Sequence, residues 1–475
     1  MIKYATPVLG CCLSLSGLLL SATSAAESFA SQGPITALQQ LESAPTLSMH
    51  PVRRHFAIQH WTTTGGTDVW FVASQQLPML DLRLVFNAGS ARDAQHSGLA
   101  MLTSGLVFEG TTYQSSLDIS RTFEKYGAQY STSCARDMSL IDVRTLSETP
   151  YLQPVLAELA EVLHSASFPQ AAFYRVKNQQ LTGLQEELQT PKAQVSRLFW
   201  TQLYAGQPYG SMPEGTPAAV EALQPQDTQA FYHQYFNRRN AVLVMVGSVE
   251  TEKAHQIAEQ LSQALPQGEP APALSLPVPP AKPIQQHLEF PSEQTHILLG
   301  GLGISRNDPD YFALSIGNEM LGGGGFSSLL TREIRVKRGL SYGAGSYFIP
   351  MQIPGPVIVS MQTRSDQTAT ALEVTRKVIQ DFVEQGPSDL QLRETQDHIL
   401  GSYPLSLASN FSILGNLAAM GFYHLPENYL EIYPERISQV TLQQVRRVDA
   451  RYFAPAHWVT VTVGRTESEG TKQKQ

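Results

Sequence analysis

Polar and apolar positions alternate over residues 80–87, which sends successive side chains to opposite faces, and residues 69–74 (VWFVAS) form a short apolar run; both predict strands. The period then lengthens. Residues 97–108 and 117–126 carry apolar positions three and four apart and predict helices, the second closed by Gly127 as a favourable C-cap. Strands are predicted again at 129–135 and 139–146, followed by long helices from Pro150 to about Leu203. A second series repeats this order: strands at 287–290 and 295–302, helices at 311–321 and 327–337, strands at 341–349 and 357–363, then three or more helices within 366–451. Strands gathered early and helices afterwards predict an α+β fold in which helices cover the apolar face of each sheet.

The two series have matching ends. Tyr235-Phe236 precedes an apolar run closing at Gly247, and Tyr452-Phe453 precedes one closing at Gly464, at the same spacing. An internal duplication accounts for this. Between the copies, residues 265–284 (LPQGEPAPALSLPVPPAKPI) are dense in Pro and Ala, the composition of an extended linker. A chain of 475 residues is also too long for one core. The expected domains are 62–264 and 285–467, with a polar tail at 468–475.

Composition changes little in this picture. The formal net charge of −8, without a basic stripe, argues against nucleic acid as a partner. Residues 1–26 have the form of a signal peptide: Lys3, an apolar stretch over 8–20, and Ser24-Ala25-Ala26 as a cleavage site. Residues 27–61 would then be an N-terminal extension, and the expected location is the bacterial periplasm. A Val-Leu-Gly-Cys sequence ending at Cys11 leaves a lipoprotein signal as the alternative. Beyond the signal there is no run of 18 apolar residues, so no transmembrane segment is expected in the mature chain. Cys11 and Cys12 lie in the signal. Cys134 stands apart, with no intrachain disulfide open to it, and reads as a small buried strand residue rather than a nucleophile.

Five segments carry a family likeness. They are Asn87-Ala88-Gly89-Ser90 leading into SGLAMLTSGLVFEGTTY (97–113), Pro208-Tyr209-Gly210, FYHQYFNRRNAVLVMVG (231–247), MLGGGGFSSLLTREIRVKRGLSYGAGSYF (320–348) and GSYPLSLASN (401–410). With these, the chain from about Thr62 to Gly464 resembles the insulinase/pitrilysin/processing-peptidase family. The resemblance implies two homologous α/β sandwich domains, antiparallel-rich sheets covered by helices in the LuxS/processing-peptidase-like metallohydrolase fold, closing like a clamshell around peptides. Such peptides would add a strand to an exposed sheet edge, here expected at 69–74 or its neighbour.

In that family the 97–113 frame holds the inverted zinc motif His-x-x-Glu-His. Here the three positions are Met101, Ser104 and Gly105, and the distal glutamate position falls near Gly183. Glu186 and Glu187 lie one turn on, but a single carboxylate cannot hold zinc. No cofactor is therefore expected in this chain, which would be inactive by itself, and zinc is expected in a partner. Arg338 and Tyr342 match the family's second-domain pair, two donors able to polarise a peptide carbonyl. The structural alternative pairs Arg338 with a carboxylate and packs Tyr342 in the sheet. Gly322, Gly323, Gly324 and Gly325 lack the ending of a phosphate loop. They are expected to end a helix and leave a pliable loop, and the resemblance to glycine-rich loops of non-catalytic processing-peptidase subunits implies that it contacts substrate. His96 precedes the helix and reads as solvent-facing. His50, His55 and His60 step by about 140° on a helix, share no face, and read as surface histidines.

The function expected from this pattern is a non-catalytic subunit of a periplasmic heterodimeric zinc peptidase, binding extended peptides and presenting Arg338 and Tyr342 to a catalytic partner. The alternative is a structural or binding protein of the same fold. An autonomous peptidase with displaced ligands ranks last.

Overall fold

The computed structural model describes residues 56–454 and 457–466. The expected signal peptide, most of the N-terminal extension with His50 and His55, and the polar tail beyond Glu467 lie outside the described residues.

Strands β1 (Ile58–Thr62), β2 (Asp68–Ala73), β3 (Met79–Phe86), β4 (Gln129–Cys134), β5 (Ser139–Leu146) and β6 (Ala241–Gly247) form one sheet in the order β1-β2-β6-β3-β5-β4. Strands β7 (Ile284–Glu289), β8 (Gln294–Leu302), β9 (Ser341–Phe348), β10 (Pro356–Arg364) and β11 (Val459–Gly464) form a second, in the order β7-β11-β8-β10-β9. Apart from β1 the two orders coincide strand for strand. Each sheet has one parallel pair, β2 with β6 and β7 with β11, and is otherwise antiparallel. The duplication in the sequence is thus a duplication of topology. Residues 266–283, between the last helix of the first copy and β7, form neither helix nor strand.

Helices α1 (Leu99–Leu106), α2 (Ser116–Lys125), α3 (Thr149–Ser165), α4 (Gln170–Leu188), α5 (Pro191–Leu203), α6 (Pro217–Ala222), α7 (Pro225–Tyr235) and α8 (Thr251–Ala264) belong to the first copy. Helices α9 (Tyr311–Asn318), α10 (Thr368–Gln385), α11 (Asp389–Ser402), α12 (Asn410–Phe422), α13 (Tyr429–Ser438) and α14 (Leu442–Tyr452) belong to the second. Among the described residues nothing follows β11 in the way α8 follows β6.

The helices do not all stay with their own sheet. One face of the first sheet meets α1, α3 and α8 through Phe71, Leu82, Leu106, Val155 and Ile257. Its other face, with Trp70, Val85 and Val244, is covered by Leu414 and Leu417 of α12. Reciprocally, Val195, Phe199 and Leu203 of α5 cover Leu298, Ile358 and Val461 on the second sheet. This exchange corrects the expectation of one apolar face per sheet: both faces are buried, and each half supplies a helix to the other. A carboxylate adds to the seam. Asp137, buried in the β4–β5 turn, accepts hydrogen bonds from Tyr209, from the Tyr423 hydroxyl (2.9 Å) and from the Gln352 amide (2.8 Å).

Three local expectations need revision. Of strand 69–74 and its neighbour, the first is not a free edge, because β1, unread in the sequence, pairs with its outer side and is itself the edge. The helix expected over 327–337 is a π-helical segment over Thr331–Val336, in which the Lys337 amide donates to the Arg332 carbonyl (2.9 Å). His60 is no bare surface histidine. It stacks on Trp70 (ring centroids 4.3 Å) and bridges Asp68 (2.6 Å) and Glu427 (2.8 Å). Its position on the strand β1, rather than a helix, brings these partners together.

Candidate functional site

Helix α1 is anchored at its start by Asp93, a buried carboxylate that accepts from the amides of Gly98 and Ala100 (both 2.8 Å). Such a group satisfies free amides at a helix N-terminus. Gly98 takes the left-handed conformation (φ 95°) that a side chain would resist. His96 is exposed in the turn ahead of the helix, as its sequence position suggested.

On α1, Ser104 is buried and donates to the Ser133 carbonyl of β4 (3.4 Å). Gly105 is exposed, and a Cβ there would lie 3.2 Å from Val176 of α4, a tight contact that any side chain at this position must relieve. Gly183, two turns along α4, has open space around it. Glu187 lies a turn further and approaches Arg197 of α5 (3.7 Å), where burial raises its pKa. A zinc site needs imidazole or carboxylate donors, and a catalytic one adds a base for bound water. Met101, Ser104, Gly105 and Gly183 offer none. Among the described residues no three His, Cys, Asp or Glu side chains gather as a metal site. The donor set does not fit zinc.

Cys134 ends β4, and burial pushes its thiol up to about 12, well away from thiolate chemistry at neutral pH. Facing this region, a cavity of about 810 Å³ lies between the α4–α5 corner and the second sheet, lined by Glu187, Lys192, Ser196, His296, Tyr347 and Gln362 among others.

In the second half a π-helical turn, Glu319–Gly323, leads from α9 into the glycine run. The run is less pliable than expected. Gly322 is buried, and a Cβ there would overlap the Ser346 backbone on β9. Gly323 and Gly324 crowd Asn318 and Glu319, and only Gly325, at φ +57°, has open surroundings. Two π-helical segments, a geometry frequent at functional sites, therefore bracket a loop whose exposed tip is Phe326.

Arg338 donates to the carboxylate of Glu333 (2.8 Å) and to its carbonyl (2.7 Å). Lys337 bonds the same carboxylate (2.7 Å), and these hydrogen bonds hold Glu333 down at about 2. Tyr342 is 77 % exposed at the start of β9, the edge of the second sheet. The residue beside it is Arg335, one turn before Arg338 and not singled out in the sequence. Its guanidinium lies 4.7 Å from the Phe326 ring and 4.6 Å from the Tyr342 ring. Arg335 has no carboxylate partner among the described residues. The signal that could have found it is its cationic charge seven residues before Tyr342, with an apolar residue at the tip of the glycine run.

Comparisons with known proteins agree with this geometry. The family model for insulinase (peptidase family M16) matches residues 72–217, and the model described as the peptidase M16 inactive domain matches 222–398. A peptidase M16 inactive domain from Pseudomonas fluorescens is 36 % identical, covers 86 % of this chain and 98 % of its own, and superposes with a TM-score of 0.83. A protease from Helicobacter pylori shares the fold at 18 % identity, with a TM-score of 0.78 over 86 % of this chain and 100 % of its own. Among the relatives, the non-peptidase homologue YmxG of Helicobacter pylori is 23 % identical over 374 residues, 78 % of this chain and 85 % of that protein. A protein of Rickettsia felis described as an uncharacterized zinc protease is 24 % identical over 373 residues, 76 % of this chain and 88 % of its own length.

Proposed function

The chain belongs to the insulinase (peptidase M16) family as an inactive homologue, and we propose that it serves as the non-catalytic, peptide-binding subunit of a periplasmic zinc-peptidase complex. The observation that carries this reading is an asymmetry between the halves. The metal positions Met101, Ser104, Gly105 and Gly183 carry no donors, while the second half keeps Arg335 between the exposed rings of Phe326 and Tyr342. An arginine held between two rings, with no internal carboxylate, keeps its N–H groups for an incoming peptide carbonyl. Arg335 and Tyr342 are the residues presented to a partner's zinc site, and Arg338 holds the loop through Glu333.

Peptide affinity comes from an open sheet edge. Among the described residues strand β4 pairs only with β5, and it lies against α1. An extended peptide added there gains main-chain hydrogen bonds independent of its sequence. The signal-like residues 1–26 support the periplasmic location.

The test is to purify the chain with an intact family member encoded beside it and to measure peptide turnover. Arg335→Ala is expected to lower kcat/KM of the complex about tenfold or more without dissociating it, the loss of one charge-assisted contact. Arg338→Ala should act mainly on stability. Unchanged turnover in the Arg335 variant would remove the assigned role. Absence of any complex with a catalytic member would favour a structural protein of the same fold.

A further inference from the structure

The peptidase reading makes no use of the GSYPLSLASN segment (401–410), which turns α11 into α12 and presents Phe411 at the corner. Phe411 is 55 % exposed although α12 is largely buried on the first sheet. One side of its ring receives the Arg83 guanidinium at 5.3 Å. Beside it is a hollow of about 200 Å³, shared with Gln129, Ser131, Asp142, Arg144 and Leu414. The charges around this hollow cancel in pairs across β3 and β5: Arg83 with Asp142 and Arg144 with Asp81, each at 2.6 Å. What remains for recognition is the ring.

The register of β4 sets what reaches the hollow. The Ala135 amide donates to the Met138 carbonyl and so faces β5. By the alternation of an antiparallel ladder, Ser133, Ser131 and Gln129 also face β5, and Tyr130 and Thr132 present their main-chain groups at the open edge. A peptide paired there sends alternate side chains to the two faces of the sheet. On the helix side they meet the face where Tyr130 stacks on Phe108. On the other side they stand next to Ser131, which lines the hollow with Phe411.

We propose that Phe411 makes this hollow a side-chain subsite for an apolar residue, aromatic or branched, at the one position of an extended peptide on β4 that stands beside Ser131. The subsite straddles the two halves, because the ring comes from the second and the strand from the first. It rests on the peptide-binding reading and adds to it a class of ligand: extended peptides with an apolar residue at that position, with no preference for charge.

Fluorescence anisotropy tests this with labelled decapeptides of Ser and Thr carrying a single Phe, Leu or Asp moved along the sequence. The full chain should bind the Phe and Leu peptides about tenfold more tightly than the Asp peptides, a ratio suited to burying one apolar side chain. Phe411→Ala should reduce that ratio to within about twofold, while leaving the plain Ser/Thr peptide unaffected, and Phe411→Tyr should restore it. A Phe411→Ala protein that melts normally and keeps the full ratio would overturn the subsite and leave peptide binding standing. Should the Ala variant fail to fold, the same comparison is read from Phe411→Gln, in which the ratio must likewise fall to within about twofold. A wild-type chain that binds none of the peptides would overturn the peptide-binding reading and the subsite together.

Discussion

Phe199 lies fully buried on α5, where a helix of the first half covers the second sheet. Phe199→Ala removes the ring and leaves a void between α5 and strands β8 and β11. A wholly buried phenylalanine truncated in this way costs about 3–5 kcal/mol. The roughly 400 described residues, unfolding together at ~2.1 cal/mol/K each, carry an unfolding entropy near 0.8 kcal/mol/K. The melting temperature should therefore fall by roughly 4–6 °C in a single transition. Scanning calorimetry gives the shift, and hydrogen exchange gives its location. Amides of β11 should exchange faster, although the substitution lies some 260 residues earlier in the chain. A drop below about 1 °C, or faster exchange confined to the first sheet, would refute the reciprocal arrangement.

Two further outcomes follow from buried groups. Asp449 on α14 is enclosed against Gly317 of α9 without a hydrogen-bond partner among the described residues, and burial raises its pKa to about 8. The folded state holds this proton between the unfolded carboxylate value near pH 4 and about pH 8, so its share of stability falls as pH rises through that window. Asp449→Asn should flatten the decline by at most roughly 1.4 kcal/mol per pH unit, read from urea midpoints at pH 6 and pH 9; parallel curves would contradict it. Rebuilding the metal motif with Met101→His, Ser104→Glu, Gly105→His and Gly183→Glu should yield well under one zinc per chain. Adding Val176→Ala should raise uptake, as measured by atomic absorption, and full uptake without it would show that the valine does not block the site.

Much of this was legible in the sequence, for identifiable reasons. Hydrophobic patterning located eight of the eleven described strands, with β6 and β11 showing as apolar runs, and placed α1 to α5 and α9 near their observed positions, while α6 and α8 went unread. Strand β1 escaped because its IQHWT sequence is half exposed and follows no clean alternation. The exchange of helices was hidden for another reason: periodicity shows that a face is buried, not what buries it. The unbroken apolar run AVLVMVG of β6 did carry the hint, since a strand buried on both faces reads this way. At the candidate site, the absence of donors at Met101, Ser104, Gly105 and Gly183 could be read directly. Arg335 could not, because its place between Phe326 and Tyr342 depends on the π-helical register of 331–336. His60 acquired its partners from Asp68 and the distant Glu427, a contact invisible to local spacing.

The central claim is that this peptidase architecture has given up its metal and acts through a partner. The most direct measurement is zinc content together with peptide cleavage by the purified chain, first by itself and then with an intact family member added. The account predicts no stoichiometric zinc and no cleavage by the chain alone, with cleavage by the pair exceeding that of the partner alone. One zinc per chain with chelator-sensitive cleavage in the absence of a partner would contradict it.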